Sequence, residues 1–192
     1  MDRNERSLIL VKHAMPEIDP AVAAPRWPLS AAGREASRVL ADRLRAYRPT
    51  RVVTSVEPKA ADTGAIVATT LGLPVSTAPD LHEHDQGVVG FLGAGAWNEA
   101  VAEVFARPDE IVQGRESANA AADRFTTAVG GLLDRYPDDR LVVVAHGRVI
   151  SQSVARANGV DPFDLWQRLG LPSFVVLDRL DWSLIEVVER VE

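Results

Sequence analysis

The spacing of apolar residues along the chain predicts short buried strands alternating with amphipathic helices. Residues 7–11, Ser-Leu-Ile-Leu-Val, make an unbroken apolar run that ends at Lys12-His13. An unbroken run, in place of strict alternation, predicts a strand covered on both faces, as in a parallel sheet. A loop punctuated by Pro16 and Pro28 follows, and Ser30 is placed to cap a helix that carries Ala36, Val39, Leu40, Leu44 and Tyr47 on one face and ends before Pro49. A second strand covers 51–55. The next helix opens at Pro58 and stops at Gly72, with Pro74 beyond and a brief strand around Val75. The loop 81–87 and a glycine-rich stretch over 90–95 lead into a helix over 96–106, which Pro108 ends. A longer helix is expected over 117–136, with Ala121, Phe125, Ala128, Val129, Leu132 and Leu133 as its stripe; Gly130-Gly131 weakens it without breaking it. Residues 140–145 form the strongest buried strand and end at His146-Gly147, followed by a helix over 149–157 that Asn158-Gly159 closes. Asp161 caps a short helix containing Phe163, Leu165, Trp166 and Leu169, with Trp166 expected in the core. Two last strands, 173–180 and 183–191, are joined by Asp181-Trp182 and should pair antiparallel.

Strands alternating with helices predict a three-layer α/β/α sandwich with a mostly parallel central sheet and an antiparallel edge strand. No repeat or long linker divides the 192 residues, so a single domain over 1–192 is expected, with a small insertion at about 88–114. The chain holds no cysteine, which excludes disulfides, thiolate metal sites and a cysteine nucleophile, and fits a reducing compartment. No signal pattern opens the sequence, and no apolar stretch nears the roughly 20 residues that cross a bilayer, so a soluble, cytoplasmic protein is expected. With a net charge of −6 and no basic run, neither nucleic acid nor an anionic membrane is an expected partner. A small anionic substrate stays open if a local pocket overcomes the global field. The edge strands near the C-terminus leave a homodimer open as well.

Ligands of open α/β sheets bind beyond the carboxyl ends of the strands. Three predicted strand exits carry polar residues: Lys12-His13, Thr54-Ser55 and His146-Gly147. Two of the chain's four histidines therefore occupy equivalent exits, which points to a shared site without naming its reaction. The pair His82 and His84 has a spacing that can ligate a metal, but in an extended loop both rings would point away from Glu83, and the chain offers no convincing metal cluster. Ser117 reads as a helix cap rather than a catalyst.

Lys12-His13-Ala14 resembles the Arg-His-Gly signature of the histidine phosphatase superfamily, which includes the cofactor-dependent phosphoglycerate mutases. The likeness continues in order. Trp27-Pro-Leu-Ser30-Ala-Ala-Gly33 is similar to the family's Leu-Thr-x-x-Gly helix start. Thr54-Ser55-Val-Glu-Pro58-Lys59-Ala60-Ala-Asp-Thr63 is similar to its Ser-Ser-Pro-x-x-Arg-Ala-x-x-Thr segment. Leu81-His-Glu83-His-Asp85-Gln-Gly87 resembles its acid loop, Gly114-Arg-Glu116-Ser117 with Arg124 its Gly-Glu-Ser stretch, and Val142-Val-Val-Ala-His146-Gly147 its second histidine strand. The resemblance implies a metal-independent phosphomonoesterase, without cofactor, acting on a small phosphorylated substrate. His13 would become transiently phosphorylated. Glu83 would protonate the leaving oxygen and then activate water, a role that favours a carboxyl with a raised pKa. His146 would stabilise the transferring phosphoryl group, helped by the Gly147 N–H.

The chain departs from the family where the family places phosphate-binding arginines. Those positions hold Lys12 and Lys59, the only lysines in a chain with 19 arginines. An ammonium keeps the charge and loses the planar, two-point grip of guanidinium. Ala14 adds a methyl group where backbone would approach the ligand or where φ would be positive. Three readings follow: an active, retuned phosphatase; a weakened or inactive protein that binds phosphate as a sensor or partner-binding module; and a phosphomutase. The short, glycine-rich segment 88–114 favours hydrolysis over transfer, and His13, Glu83 and His146 together favour activity.

Overall fold

In the computed structural model, which describes residues 7–85 and 92–191, six strands form one sheet in the order β3-β2-β4-β1-β5-β6. The strands are β1 (Ser7–Lys12), β2 (Arg51–Thr54), β3 (Val75–Thr77), β4 (Leu141–Ala145), β5 (Ser173–Asp178) and β6 (Leu184–Val188). Strands β1 to β4 run parallel, and β5 pairs antiparallel with both β1 and β6. The helices are α1 (Ala31–Leu44), α2 (Pro58–Leu71), α3 (Ala94–Ala106), α4 (Ala118–Arg135), α5 (Gly147–Asn158) and α6 (Pro162–Arg168). The layered, mostly parallel architecture expected from the apolar pattern is the one observed. The end of the acid loop and the glycine-rich start of the expected insertion, residues 86–91, lie outside the described residues.

Successive residues of a strand face opposite sides, and the central strands are apolar on both. Ile9 and Val11, with Val142 and Val144, pack against Leu40, Leu44 and Val67 of α1 and α2. Leu8 and Leu10, with Val143 and Ala145, pack against Phe125, Val129, Val149 and Ile150 of α4 and α5. Two cores thus share one sheet. The chain leaves β1 toward one face and β4 toward the other, so the adjacent ends of these two strands frame a crevice.

Local sequence sets the helix starts. Ser30 accepts from the Gly33 N–H, Ser117 from Ala120 and Asp161 from Asp164, each closing the first turn of its helix. Helix α4 runs unbroken through Gly130-Gly131. Two expectations shift. The buried stripe of α1 is Gly33, Ser37, Leu40, Ala41 and Leu44, rotated from the one through Ala36 and Val39. The reason is Gly33: a Cβ there would be driven into the Met15 carbonyl oxygen, and Ser37 can be buried beside it because its hydroxyl bonds the Gly33 carbonyl at 2.7 Å. Helix α5 starts at Gly147, not 149, which makes His146 its N-cap residue.

Candidate active site

The parallel register pairs Lys12 with Ala145, so the next residues, His13 and His146, emerge side by side from the middle of the sheet. Their rings meet edge to face with centroids 5.2 Å apart. Strand β2 lies on the far side of β4 and brings Ser55, whose hydroxyl is 2.9 Å from His146 Nε2.

The two imidazoles are held differently. His13 Nδ1 donates to the Ala14 carbonyl at 2.7 Å; a carbonyl only accepts, so the proton sits on Nδ1 and Nε2 keeps its lone pair. Burial, then His146 and the lysines, push the His13 pKa well below the usual histidine range, against the pull of the Ala14 carbonyl. The ring is neutral at neutral pH. His146 is fully buried, and burial lowers it to about 3 although Glu83 opposes this. With Nε2 fixed at Ser55, its Nδ1 has no hydrogen-bond partner among the described residues. Among the described residues the non-glycine positions with positive φ are Arg48, Asp80 and Trp182; Ala14 is not one of them, so its methyl group brings no backbone strain.

The lysines are engaged by protein groups. Lys12 Nζ donates to the Leu169 carbonyl at 2.5 Å and lies 5.7 Å from the centre of the Trp166 ring. Burial lowers its pKa to about 8, with Glu83 pulling the other way. Trp166 is therefore not a core residue as expected: it is half-buried and forms a wall of the site. A Cβ on Gly147 would come within 3.0 Å of Lys12 Cε and 3.1 Å of the Trp166 indole, so glycine there permits the close approach. Lys59, which is 6% exposed, donates to the Ala24 carbonyl at 2.8 Å and to Glu57 Oε2 at 2.5 Å.

Glu83 belongs to the site, but not with the raised pKa its expected role favours. Its carboxylate accepts the N–H of Arg148 at 3.1 Å and of Val149 at 3.2 Å, closing the N-terminus of α5, and also that of His84. Burial pushes the carboxyl up, but Arg148, His146 and these N–H bonds outweigh it and hold it at about 2. A clamp fixes the loop: Arg124 donates to the carbonyls of Asp80, His82 and Glu83, and pairs with Glu116 at 2.6 Å. His84 bonds the Glu116 carbonyl through Nε2 at 2.8 Å, and His82 lies near enough to His146 to disfavour its charged form. Among the described residues no group of three or more histidine, aspartate or glutamate side chains is placed to hold a metal, and no helix is long and apolar enough to cross a membrane.

Sequence reasoning missed two residues. Glu57, 7% exposed, places Oε1 2.9 Å from the Glu83 nitrogen and 3.4 Å from His146 Nε2, while Oε2 holds Lys59. Arg148, 2% exposed, lies 3.8 Å from Glu83 and 5.2 Å from the Trp97 ring centre. The available signals were position alone: Glu57 stands two residues before Lys59, and Arg148 two after His146. The pocket thus gathers three cations, Lys12, Lys59 and Arg148, around two neutral imidazoles and two carboxylates.

Comparisons with known proteins identify the family and the fold. The family model for the histidine phosphatase superfamily (branch 1) matches residues 8–183. The chain is 27% identical over 136 residues to the uncharacterized phosphatase PhoE of Bacillus subtilis, covering 70% of this chain and 67% of that one. It is 32% identical over 130 residues to a metal-independent phosphoserine phosphatase of Arabidopsis thaliana, covering 64% of this chain and only 55% of the relative. Among solved structures, a mycobacterial glucosyl-3-phosphoglycerate phosphatase superposes with a TM-score of 0.76 at 21% identity, covering 96% of this chain and 99% of that one, a likeness of fold.

Proposed function

Because this chain belongs to the histidine phosphatase superfamily (branch 1), we propose that it hydrolyses a phosphomonoester without a metal, through a phosphohistidine on His13. The observation that carries the reading is the pairing of a neutral His13, whose Nδ1 holds the proton and leaves Nε2 its lone pair, with a buried His146 whose Nδ1 is unpartnered among the described residues. His13 Nε2 attacks phosphorus as the bond to the ester oxygen breaks, and that oxygen leaves with a proton. His146, Lys12, Lys59 and the Gly147 N–H bear on the phosphoryl oxygens. Glu83 carries the proton. It is ionised before substrate binds, and an arriving phosphate dianion raises its pKa by like-charge repulsion, which lets it take up the proton it later delivers. In the second step its carboxylate accepts a proton from water as water displaces the histidine nitrogen. The substrate is a small phosphorylated compound, the class to which the Arabidopsis relative's phosphoserine belongs. The lack of cysteine supports work in the cytoplasm.

Turnover of an aryl phosphate tests this. It should persist in EDTA and fall about a thousandfold or more in His13→Ala, with an acid-labile phosphoryl adduct trapped on the wild-type protein. Turnover abolished by EDTA and untouched in His13→Ala would falsify the reading. A second reading, a phosphate-binding module without turnover, draws on the engagement of both lysines by protein groups. Calorimetric binding of phosphate by a protein that cleaves no ester would select it.

A further inference from the structure

Glu57 stands at the N-cap of α2, yet its side chain makes no cap bond to its own helix. The carboxylate turns into the pocket and takes two groups there, Lys59 at 2.5 Å and the Glu83 N–H at 2.9 Å, and lies 3.4 Å from His146 Nε2. One of these, Lys59, is a group that a phosphoryl dianion would use. A carboxylate is an oxyanion with two acceptor oxygens, so Glu57 stands in for part of a phosphate.

We propose that Glu57 sets the affinity of the pocket for phosphoryl groups, by holding Lys59 in competition with the substrate. The inference rests on the phosphatase reading for the identity of the ligand, though not on turnover. An entering phosphate meets a buried negative charge within reach of the same cation, and Lys59 must share its donors between the two or leave Glu57. Lysine suits this better than arginine would: its compact ammonium has three donors, of which the Ala24 carbonyl and Glu57 occupy two. The third remains for a phosphoryl oxygen. Arg148 adds a buried positive charge near Glu83, and Glu57 in turn favours the charged form of Arg148. Glu57 is thus a residue that tunes specificity and affinity, and it makes no bond to the reacting atoms.

The test is the near-isosteric Glu57→Gln, which keeps an acceptor for Lys59 and removes the charge. Removing one negative charge a few Å from a dianion, even at an effective dielectric of about 20 and offset in part by the lost pairing with Lys59, predicts that inorganic phosphate binds at least about tenfold tighter by calorimetry. The KM for an aryl phosphate should fall in step, with no rise in kcat. In Glu57→Ala, Lys59 is left a buried cation bonded to Ala24 alone, and phosphate should again bind more tightly because it restores the missing counter-charge. Circular dichroism confirms that each variant is folded, and the alanine variant carries the test if the glutamine variant is not. Unchanged or weaker phosphate binding in the folded variants overturns the proposal, as does a loss of kcat with affinity unaltered, which would make Glu57 a support for His146 instead. A wild-type protein that turns over no ester, but whose phosphate affinity rises in Glu57→Gln, removes the phosphatase reading and keeps this one. Full turnover with no change in affinity does the reverse.

Discussion

At the scale of single residues, the behaviour of the site follows from where its charges are buried. Lys12 is held at about 8 by desolvation, with Glu83 opposing, so its ammonium is intact at neutral pH and is lost as pH rises through about 8. Since kcat/KM reports the free enzyme, its profile should fall on the alkaline side with a midpoint near pH 8. A guanidinium stays charged throughout, so Lys12→Arg should remove that limb up to at least about pH 10. A profile identical in the two proteins would show that another group sets it. On the acid side, His13 lies well below the usual histidine range, so the proposed nucleophile should stay neutral through pH 6.5. The two histidines were legible because strand exits in an α/β sheet are where ligands bind. Glu57 was not. Nothing in a glutamate before a proline says whether it will cap its helix, face water or turn inward, and the choice is made by Lys59 and the Glu83 N–H, which lie beyond local sequence. The low pKa of Glu83 was hidden for a related reason. Its expected role favours a raised one, and only the fold shows the carboxylate seated on the first N–H groups of α5.

Elements were legible where periodicity and caps agreed. Ser30, Ser117 and Asp161 cap the helices they were expected to cap, and the apolar runs of the two central strands, four residues in β1 and five in β4, are buried as expected. Stripes were less so, because a hydropathy pattern cannot see a glycine used for close approach. In α1 the buried line follows Gly33 and Ser37, where the helix lies on the Met15 carbonyl two residues after the candidate nucleophile. Gly33→Ala should therefore cost about 2 kcal/mol through overpacking against backbone, a drop in Tm of roughly 5 °C for a chain of this size. It should also raise KM, since the loop that must yield carries Ala14 and Met15. Differential scanning calorimetry and a Michaelis curve check both, and a Tm within a degree of wild type would show that the loop gives way freely. At α5, the change of start from 149 to 147 turns His146 into a cap residue. Its ring is thereby fixed at the junction of a strand and a helix, with neighbouring N–H groups already committed to Glu83.

Across the whole molecule, the site has no local subassembly. His13, Ser55 and His146 come from three strands, Glu83 and Arg124 from the segments between them, and each strand is fixed by both cores. Activity, far-ultraviolet circular dichroism and tryptophan fluorescence should accordingly be lost together in urea, at one midpoint. Activity lost well before the fold would place the acid loop or the α3 region in a separate, weaker unit. The order of the sheet carries one more consequence. Strand β1, with its histidine, is the first strand to leave the ribosome, yet its two neighbours are β4 and β5, which leave among the last. Throughout synthesis, an apolar strand with both edges open must wait, exposed to chaperones and to other nascent chains. The proposed nucleophile is thus carried by the first of these six strands to be made, and it is among the last parts of the sheet to be locked in place.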